Sequence, residues 1–274
     1  MNKLFLIVVF VMIFANSCEK IFSPEPENLK TIDQMYTDQD YAQGFLVNAY
    51  RSIPGYYDDA DYATDDAVTN QKSNAYLKMA TGAWTASDNP ANLWQTAFGA
   101  IQYLNLFLQN STKVDWAADS AASQLFSIRM RGEAFGLRAV FMYYLLRNHA
   151  GIGEDGTLLG VPNITEFLTV NSEFNMPRAT FAACVKQVYE DLDSAELDLP
   201  FEYEDIGSSS QIPARFSSIT QSVETYNRVM GHYSRQLFNG LIAKSFRSKM
   251  ALLAASPAFQ GPSNPSTWVD AADD

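Results

Sequence analysis

The sequence predicts an all-α fold, predominantly tetratricopeptide-like helical hairpins joined by long irregular loops. Three observations carry this reading. Five segments place apolar residues at a spacing near 3.6, the period of a helix with one buried face. Alternating β-branched runs, which a sheet needs, are scarce. Hydrophobic residues make up 47% of the 274 positions and charged ones 18%, enough apolar material for a sizeable core. The 34-residue repeat consensus of tetratricopeptide arrays is not legible, so the hairpin reading rests on the succession of helices alone.

The first helix covers about 40–53 and is ended by Pro54-Gly55. The second covers about 92–110, with Leu93, Ala97, Ala100, Ile101, Leu104 and Leu108 as its stripe, and Trp94 on that stripe is expected in the core. The third covers about 118–149; its second half, around Phe135, Leu137, Val140, Phe141 and Leu145, is apolar nearly all round and is expected to be buried on most sides. The fourth starts after Thr180, whose hydroxyl suits a cap, and ends at Leu199-Pro200. Cys184 shares its pattern with Phe181, Val185 and Val188 and reads as a buried structural thiol. The fifth, about 237–255, is ended by Ser256-Pro257. Thr267-Trp268-Val269-Asp270 then has capping-box spacing and announces one more helix, although the sequence stops four residues later. We read this as a C-terminal truncation; a frayed polar tail is the alternative, since one turn of helix without packing is unstable. The long stretches 54–91, 150–179 and 201–226 read as loops, and loops of that length are where function is to be sought.

The N-terminus reads as an address. Lys3 supplies a positive start and Leu4 to Ala15 an apolar run too short to span a bilayer. Ala15-Asn16-Ser17-Cys18 follows, which resembles a bacterial lipoprotein signal with Cys18 as the lipidated first residue of the mature chain. A plain secretory signal with an incidental cysteine is the competing reading. The expected organisation is a signal peptide at 1–17, a lipidated cysteine with a polar leash at 18–38, and a helical domain at 39–274. Several acyl chains give a stable anchor because each buried methylene adds about 0.8 kcal/mol.

Composition also excludes. A formal charge of −12 with no basic run speaks against nucleic-acid or anionic-membrane binding. Two Cys make no disulfide framework, and two His leave little for a metal site or a histidine-based triad. Asp59-Ala60-Asp61 lacks the later calcium-loop positions, which are Ala63 and Thr64, so no metal is expected.

Several motifs occur in a consistent order: Leu93-Trp94 with Ile101 and Asn105; Gly132-Glu133-Ala134-Phe135-Gly136-Leu137-Arg138-Ala139 with Tyr144, Leu145 and Arg147; Gly160-Val161-Pro162; Pro177-Arg178-Ala179-Thr180 with Asp191-Leu192, Ala195 and Leu199-Pro200; and Leu252 to Phe259. Together with Thr64-Asp65-Asp66-Ala67, this order resembles the SusD/RagB family of Bacteroidetes outer-membrane lipoproteins. The resemblance implies a tetratricopeptide-related fold and a cell-surface, lipid-anchored protein that captures glycans or other nutrients. It also implies a TonB-dependent SusC-like outer-membrane transporter as partner, with no cofactor and no enzymatic activity. Family members are longer, with a C-terminal half that is lacking here. Residues 207–233 match no family pattern, residues 152–159 are an insertion before the Gly160-Val161-Pro162 turn, and His149 stands where the family has an aromatic residue. We read His149 as a spacer at a helix end, and Glu133 and Arg138 as a structural pair or helix-packing contacts.

Sugar capture calls for aromatic faces against pyranose C–H groups, with amides and carboxylates for the hydroxyls. Loop 54–91 supplies Tyr56, Tyr57, Tyr62, Tyr76 and Trp84, interleaved with Asp58, Asp59, Asp61, Asn74, Asp88 and Asn89. The candidate ligand-binding residues are Tyr57, Tyr62, Tyr76, Trp84 and Asn89, with Asp65 and Asp66; two or three of the loop aromatics are expected to hold the loop down instead. Asp65-Asp66 as the acid pair of a glycoside hydrolase is the minor alternative, because adjacent carboxylates usually diverge whereas hydrolysis needs two facing each other about 5–10 Å apart. A truncated, non-binding remnant of such a receptor is the other alternative.

Overall fold

Side-chain caps set where most of the helices begin. In the computed structural model, which describes residues 30–55, 60–85, 87–261, 264 and 266–273, helix α1 (Gln39–Arg51) starts where Asp38 accepts from the Tyr41 N–H at 2.9 Å. A four-residue helix α2 (Leu77–Ala80) follows, then α3 (Trp94–Asn110), whose first N–H is taken by Asn92 Oδ1 at 2.9 Å. Helix α4 (Ser120–His149) begins at Asp119, which accepts from Ala122 N–H at 2.7 Å. Strands β1 (Gly151–Ile152) and β2 (Leu158–Leu159) form a small antiparallel hairpin. Helix α5 (Phe181–Asp198) starts at Thr180, as expected. Then come α6 (Ala214–Ser217), α7 (Val223–Met230) capped by Ser222, α8 (Gly240–Ala255) capped by Asn239, and α9 (Trp268–Asp273). Each cap satisfies one of the N–H groups that a helix start leaves without an intrahelical partner.

The predominantly helical fold is therefore as the sequence predicts, with three corrections. Stretch 201–226 is not structureless: α6 and the start of α7 lie in it. The insertion 152–159 holds the end of β1, the turn and the whole of β2 in the β1–β2 hairpin. The final short helix is not without packing, since α9 lies against α8 and its box is closed: Asp270 Oδ2 accepts from Thr267 N–H at 2.7 Å while Thr267 Oγ1 accepts from Asp270 N–H at 3.2 Å. Cys18 and Tyr57 lie outside the described residues. The chain divides into units 1–34 and 35–274; in the first, Gln34 Oε1 accepts from Thr31 N–H at 2.7 Å, and the second holds everything that follows. Among the described residues no helix is long and apolar enough to cross a membrane.

Cross-contacts show that successive long helices run antiparallel. Phe45 on α1 meets Tyr103 on α3 with ring centroids 6.1 Å apart, while Tyr36, before α1, reaches Asn110 at the far end of α3 at 3.1 Å. Arg131 and Arg138 on α4 pair with Asp198 and Asp191 on α5, the numbers running in opposite directions. Lys244 and Arg247 on α8 likewise meet Glu196 and Asp193 on α5. The core forms around α4, whose Leu137, Ala139, Leu145 and Leu146 are wholly buried. Each of the three leucines contributes about 1.5–3 kcal/mol on burial. Two glycines let neighbours close on α4: a Cβ at Gly132 would stand 2.7 Å from Leu199 Cγ, and one at Gly136 would stand 2.1 Å from Phe238 Cε1.

Glu133 and Arg138 are both structural, but they do not pair with each other. Residues five apart lie about 140° apart around a helix. Glu133 instead meets Arg129 one turn back at 3.3 Å and accepts the Tyr50 hydroxyl at 2.8 Å, and Tyr50 in turn accepts the Phe238 N–H at 2.9 Å. Burial pushes the Glu133 carboxyl up, against the pull of Arg129 and Tyr50, and burial beside Glu133 pushes the Tyr50 phenol up as well. Cys184 is buried, its thiol donating to Val161 O at 3.4 Å, and burial raises it above its usual value.

Candidate functional site

A buried ion pair anchors the wall of an open groove. Arg138 forks onto Asp191 with Nε–Oδ2 at 2.8 Å and Nη2–Oδ1 at 2.6 Å. Its remaining nitrogen donates to Asn105 Oδ1 at 2.8 Å and to Thr165 O at 3.1 Å. Asn105 passes the connection on, its amide donating to Ile164 O at 3.1 Å and Glu166 O at 3.0 Å. Gln102 Oε1, one helical turn away, accepts from Leu168 N–H at 2.9 Å. Segment 161–168, which has no regular structure of its own, is thus fastened to α3 through side chains. Burial pushes the Asp191 carboxyl up while Arg138 and Gln187 pull it down.

Between this segment and α3 lies a groove of about 440 Å³. Trp94, Phe98, Phe167 and Phe174 bring aromatic surface to it, and Gln95 and Gln102 bring amides. Trp94 is not the simple core residue expected: it packs on the core and also lines the groove. Its ring meets Phe98 edge-on at 4.9 Å and His149 edge-on at 5.4 Å, with the Arg178 guanidinium 5.6 Å from its centre. His149 ends α4, and its Nε2 accepts from Leu93 N–H at 3.4 Å, which requires a neutral imidazole with the proton on Nδ1. Burial, then the Arg178 charge, holds that imidazole below its usual value. Arg178 donates to His149 O at 2.6 Å and Gly160 O at 3.2 Å, and Asn148 donates to Ala91 O at 2.9 Å. The end of loop 54–91, the start of α3 and the end of α4 are therefore locked together beside the groove. His149 is a spacer, as expected, and also a pin.

The residues singled out in loop 54–91 are not gathered into this groove. Tyr62 is half-buried in a 3-10 turn, Ala60–Ala63. Asp65 and Asp66 are exposed neighbours, with Asp66 N–H donating to Thr64 Oγ1 at 3.2 Å. Tyr76 is half-buried just before α2, its N–H held by Asn74 Oδ1 at 2.9 Å. Asn89 braces the chain through Ala91 N–H at 2.9 Å, and Lys78 meets Asp88 at 2.7 Å. Trp84 remains 46% exposed. No group of three or more His, Cys, Asp or Glu able to hold a metal occurs among the described residues. The groove takes one wall from loop 150–179, one of the three long loops of the sequence, and the other from α3, where Phe98 follows Trp94 by four residues on the same face.

A search of curated proteins finds no match. Among solved structures, the chain is similar in fold to a SusD-like protein from Bacteroides fragilis at a TM-score of 0.58 and 18% identity, over 84% of this chain and 37% of that one. It is similar to a SusD-like carbohydrate-binding protein from Bacteroides vulgatus at a TM-score of 0.55 and 16% identity, over 79% of this chain and 42% of that one. It is also similar to a laminarin-binding SusD-like protein at a TM-score of 0.52 and 21% identity, over 80% of this chain and 41% of that one. The chain thus spans less than half the length of each of these structures. Residues 28–219, well over half of the sequence, match the SusD-like family described as starch-binding and associating with the outer membrane, and the chain belongs to that family.

Proposed function

We propose that the protein is a cell-surface glycan-binding lipoprotein that captures oligosaccharide and passes it to a TonB-dependent SusC-like transporter. On this reading residues 1–17 are the signal peptide, Cys18 carries the lipid, and 18–38 is the leash. The observation that carries the binding reading is the α3 groove, where aromatic rings stand beside amides that can take sugar hydroxyls. Family membership and a laminarin-binding relative support the ligand class. Trp84, exposed on the neighbouring loop, is the first candidate for a further contact. Binding is favoured over hydrolysis because Asp65 and Asp66 are adjacent and exposed, whereas hydrolysis needs two carboxyl groups facing each other about 5–10 Å apart.

Native gels containing starch or laminarin test this. The protein is expected to be retarded, and Trp94→Ala to migrate more freely. Equal migration with and without polysaccharide, at several protein concentrations, would remove the proposal; unchanged retardation of Trp84→Ala would exclude that loop from the site. Incorporation of labelled palmitate that disappears in Cys18→Ala tests the anchor. Recovery of a barrel transporter with the affinity-tagged protein from native membranes tests the partner.

A further inference from the structure

Glycine is the poorest helix former after proline, so a glycine inside a helix calls for a reason. Gly132 and Gly136 in α4 have one, the close approach of Leu199 and Phe238. Gly44 in α1 and Gly99 in the middle of α3 have none within the chain, since a Cβ at either would meet no atom within 4 Å, and Gly99 is exposed. Yet Gly99 lines the groove, between Phe98 and Gln102 on the same helix, and Gly44 does not. A missing side chain with open space in front of it leaves room for something that is not part of the chain to lie against the helix.

The lining says what that is. All eleven residues that line the groove are uncharged. Their polar side chains are two amides; the Gln95 side chain makes no hydrogen bond among the described residues, and Gln102 uses its oxygen on Leu168 N–H and keeps its amino group. The groove-forming segment carries Glu166 and Glu173, and Arg178, which lies over the Trp94 ring, is not among the residues that line the groove and holds two carbonyls through one nitrogen. A carboxylate or sulfate entering the groove would lose water without gaining a cation among the residues that line it, which is costly. A neutral pyranose loses little, since its C–H face meets aromatic surface and its hydroxyls meet amides.

Building on the glycan reading above, we infer that Gly99 is the specificity-determining residue of this groove. Its absent side chain admits one ring of a neutral sugar against α3, and the uncharged lining turns away uronate and sulfated glycans.

Calorimetric titration of the wild-type protein with maltoheptaose, laminarihexaose, an oligogalacturonide and a heparin oligosaccharide tests this, alongside Gly99→Leu and Gly44→Leu. Gly44 is the control, since it too lies inside a helix with open space at its Cβ but does not line the groove. The expected result is binding of at least one neutral oligosaccharide and of neither acidic one. Gly99→Leu should weaken that binding by about tenfold or more, with Gly44→Leu unchanged and helical circular dichroism and melting of both variants retained. A folded Gly99→Leu that binds as tightly as wild type overturns the inference while leaving glycan binding intact, and so does tight binding of either acidic oligosaccharide. A wild-type protein that binds none of the four removes the glycan reading and this inference together. Should Gly99→Leu fold poorly, Gly99→Ala and Gly99→Ser replace it with the same criteria.

Discussion

Arg138 and Asp191 meet through two parallel hydrogen bonds across the α4–α5 interface, both side chains less than a tenth exposed. The same guanidinium reaches Asn105 and the backbone of Thr165. One buried charge pair therefore sets the register of two helices and the seat of the groove wall. Taking two charges out of water is expensive, and a buried pair is weak evidence of net stability. What it supplies here is placement: the fork of Arg138 fits Asp191 at one relative position of α4 and α5 only, and its spare donor fixes the loop at that same place.

Removing either partner should therefore be severe. Arg138→Leu or Asp191→Leu leaves an uncompensated buried charge, with an expected loss of about 3–5 kcal/mol. The double replacement should lose less than the sum of the two singles, since no charge is then stranded. Urea unfolding of the four proteins measures this. Additive losses in the double variant would mean that the two side chains act independently, against the geometry described.

The glycines give opposite expectations. Gly136→Ala drives a methyl into the buried Phe238 ring, whose backbone N–H is held by Tyr50, so relief requires moving a fixed element. The expected loss is about 1–3 kcal/mol. Gly99→Ala meets nothing and should gain up to about 1 kcal/mol from helix propensity. Thermal melting that moves both variants in the same direction would contradict this division.

Asn105→Ala tests how the groove wall is held. The segment loses two hydrogen bonds to Ile164 O and Glu166 O, and Arg138 loses one acceptor. A stability loss of about 1–3 kcal/mol is expected from the two carbonyl acceptors left unpaired. The specific readout is hydrogen exchange: the Leu168 amide, held by Gln102 next to the freed stretch, should exchange faster, while amides in the middle of α8 should change only as far as global stability falls. Equal acceleration everywhere would show that Asn105 acts on the whole fold and not on the wall.

Much of this was open to sequence reasoning, and the rest resisted it for physical reasons. Periodicity exposed the five long helices, because each buries one broad face for many turns, and Thr180 and the 267–270 box declared their caps through hydroxyl and carboxylate spacing. Helices α6 and α7 escaped notice because four and eight residues are too few to establish a period. Trp94 shows the limit of a stripe: its spacing marks the face turned to the core, while one edge of the same ring is left for the groove. The groove itself joins residues 94–102 to 162–176, and contacts at that separation are made by Arg138, Asn105 and Gln102, not by any local pattern. Loop 54–91 drew attention through composition alone, which cannot distinguish aromatics that brace a loop from those that meet a ligand.

His149 should make the protein sensitive to mild acid. Its Nε2 accepts the Leu93 N–H and so must be unprotonated, and burial with the Arg178 charge lowers its proton affinity in the folded state. The unfolded chain, with an ordinary histidine near 6.5, then binds a proton first on acidification. Stability rises with pH wherever the unfolded state binds more protons, so the His149 contribution is complete above about 6.5 and is lost as pH falls through that value, until the folded imidazole itself protonates. Glu133 and Asp191 act in the opposite sense: their raised folded values let the folded state keep protons longer, and that stabilises as pH falls. The difference between wild type and His149→Phe isolates the histidine. Urea midpoints of the wild type should fall between pH 7.5 and pH 5.5 relative to the variant, and the Trp94 fluorescence environment should change over the same interval. The second histidine of the chain, His232, pairs with Asp205 and is common to both proteins, so it cancels. Parallel pH curves for the two proteins would mean that the proton on His149 is not coupled to folding, and the pin between Leu93, Trp94 and the end of α4 would then be steric only.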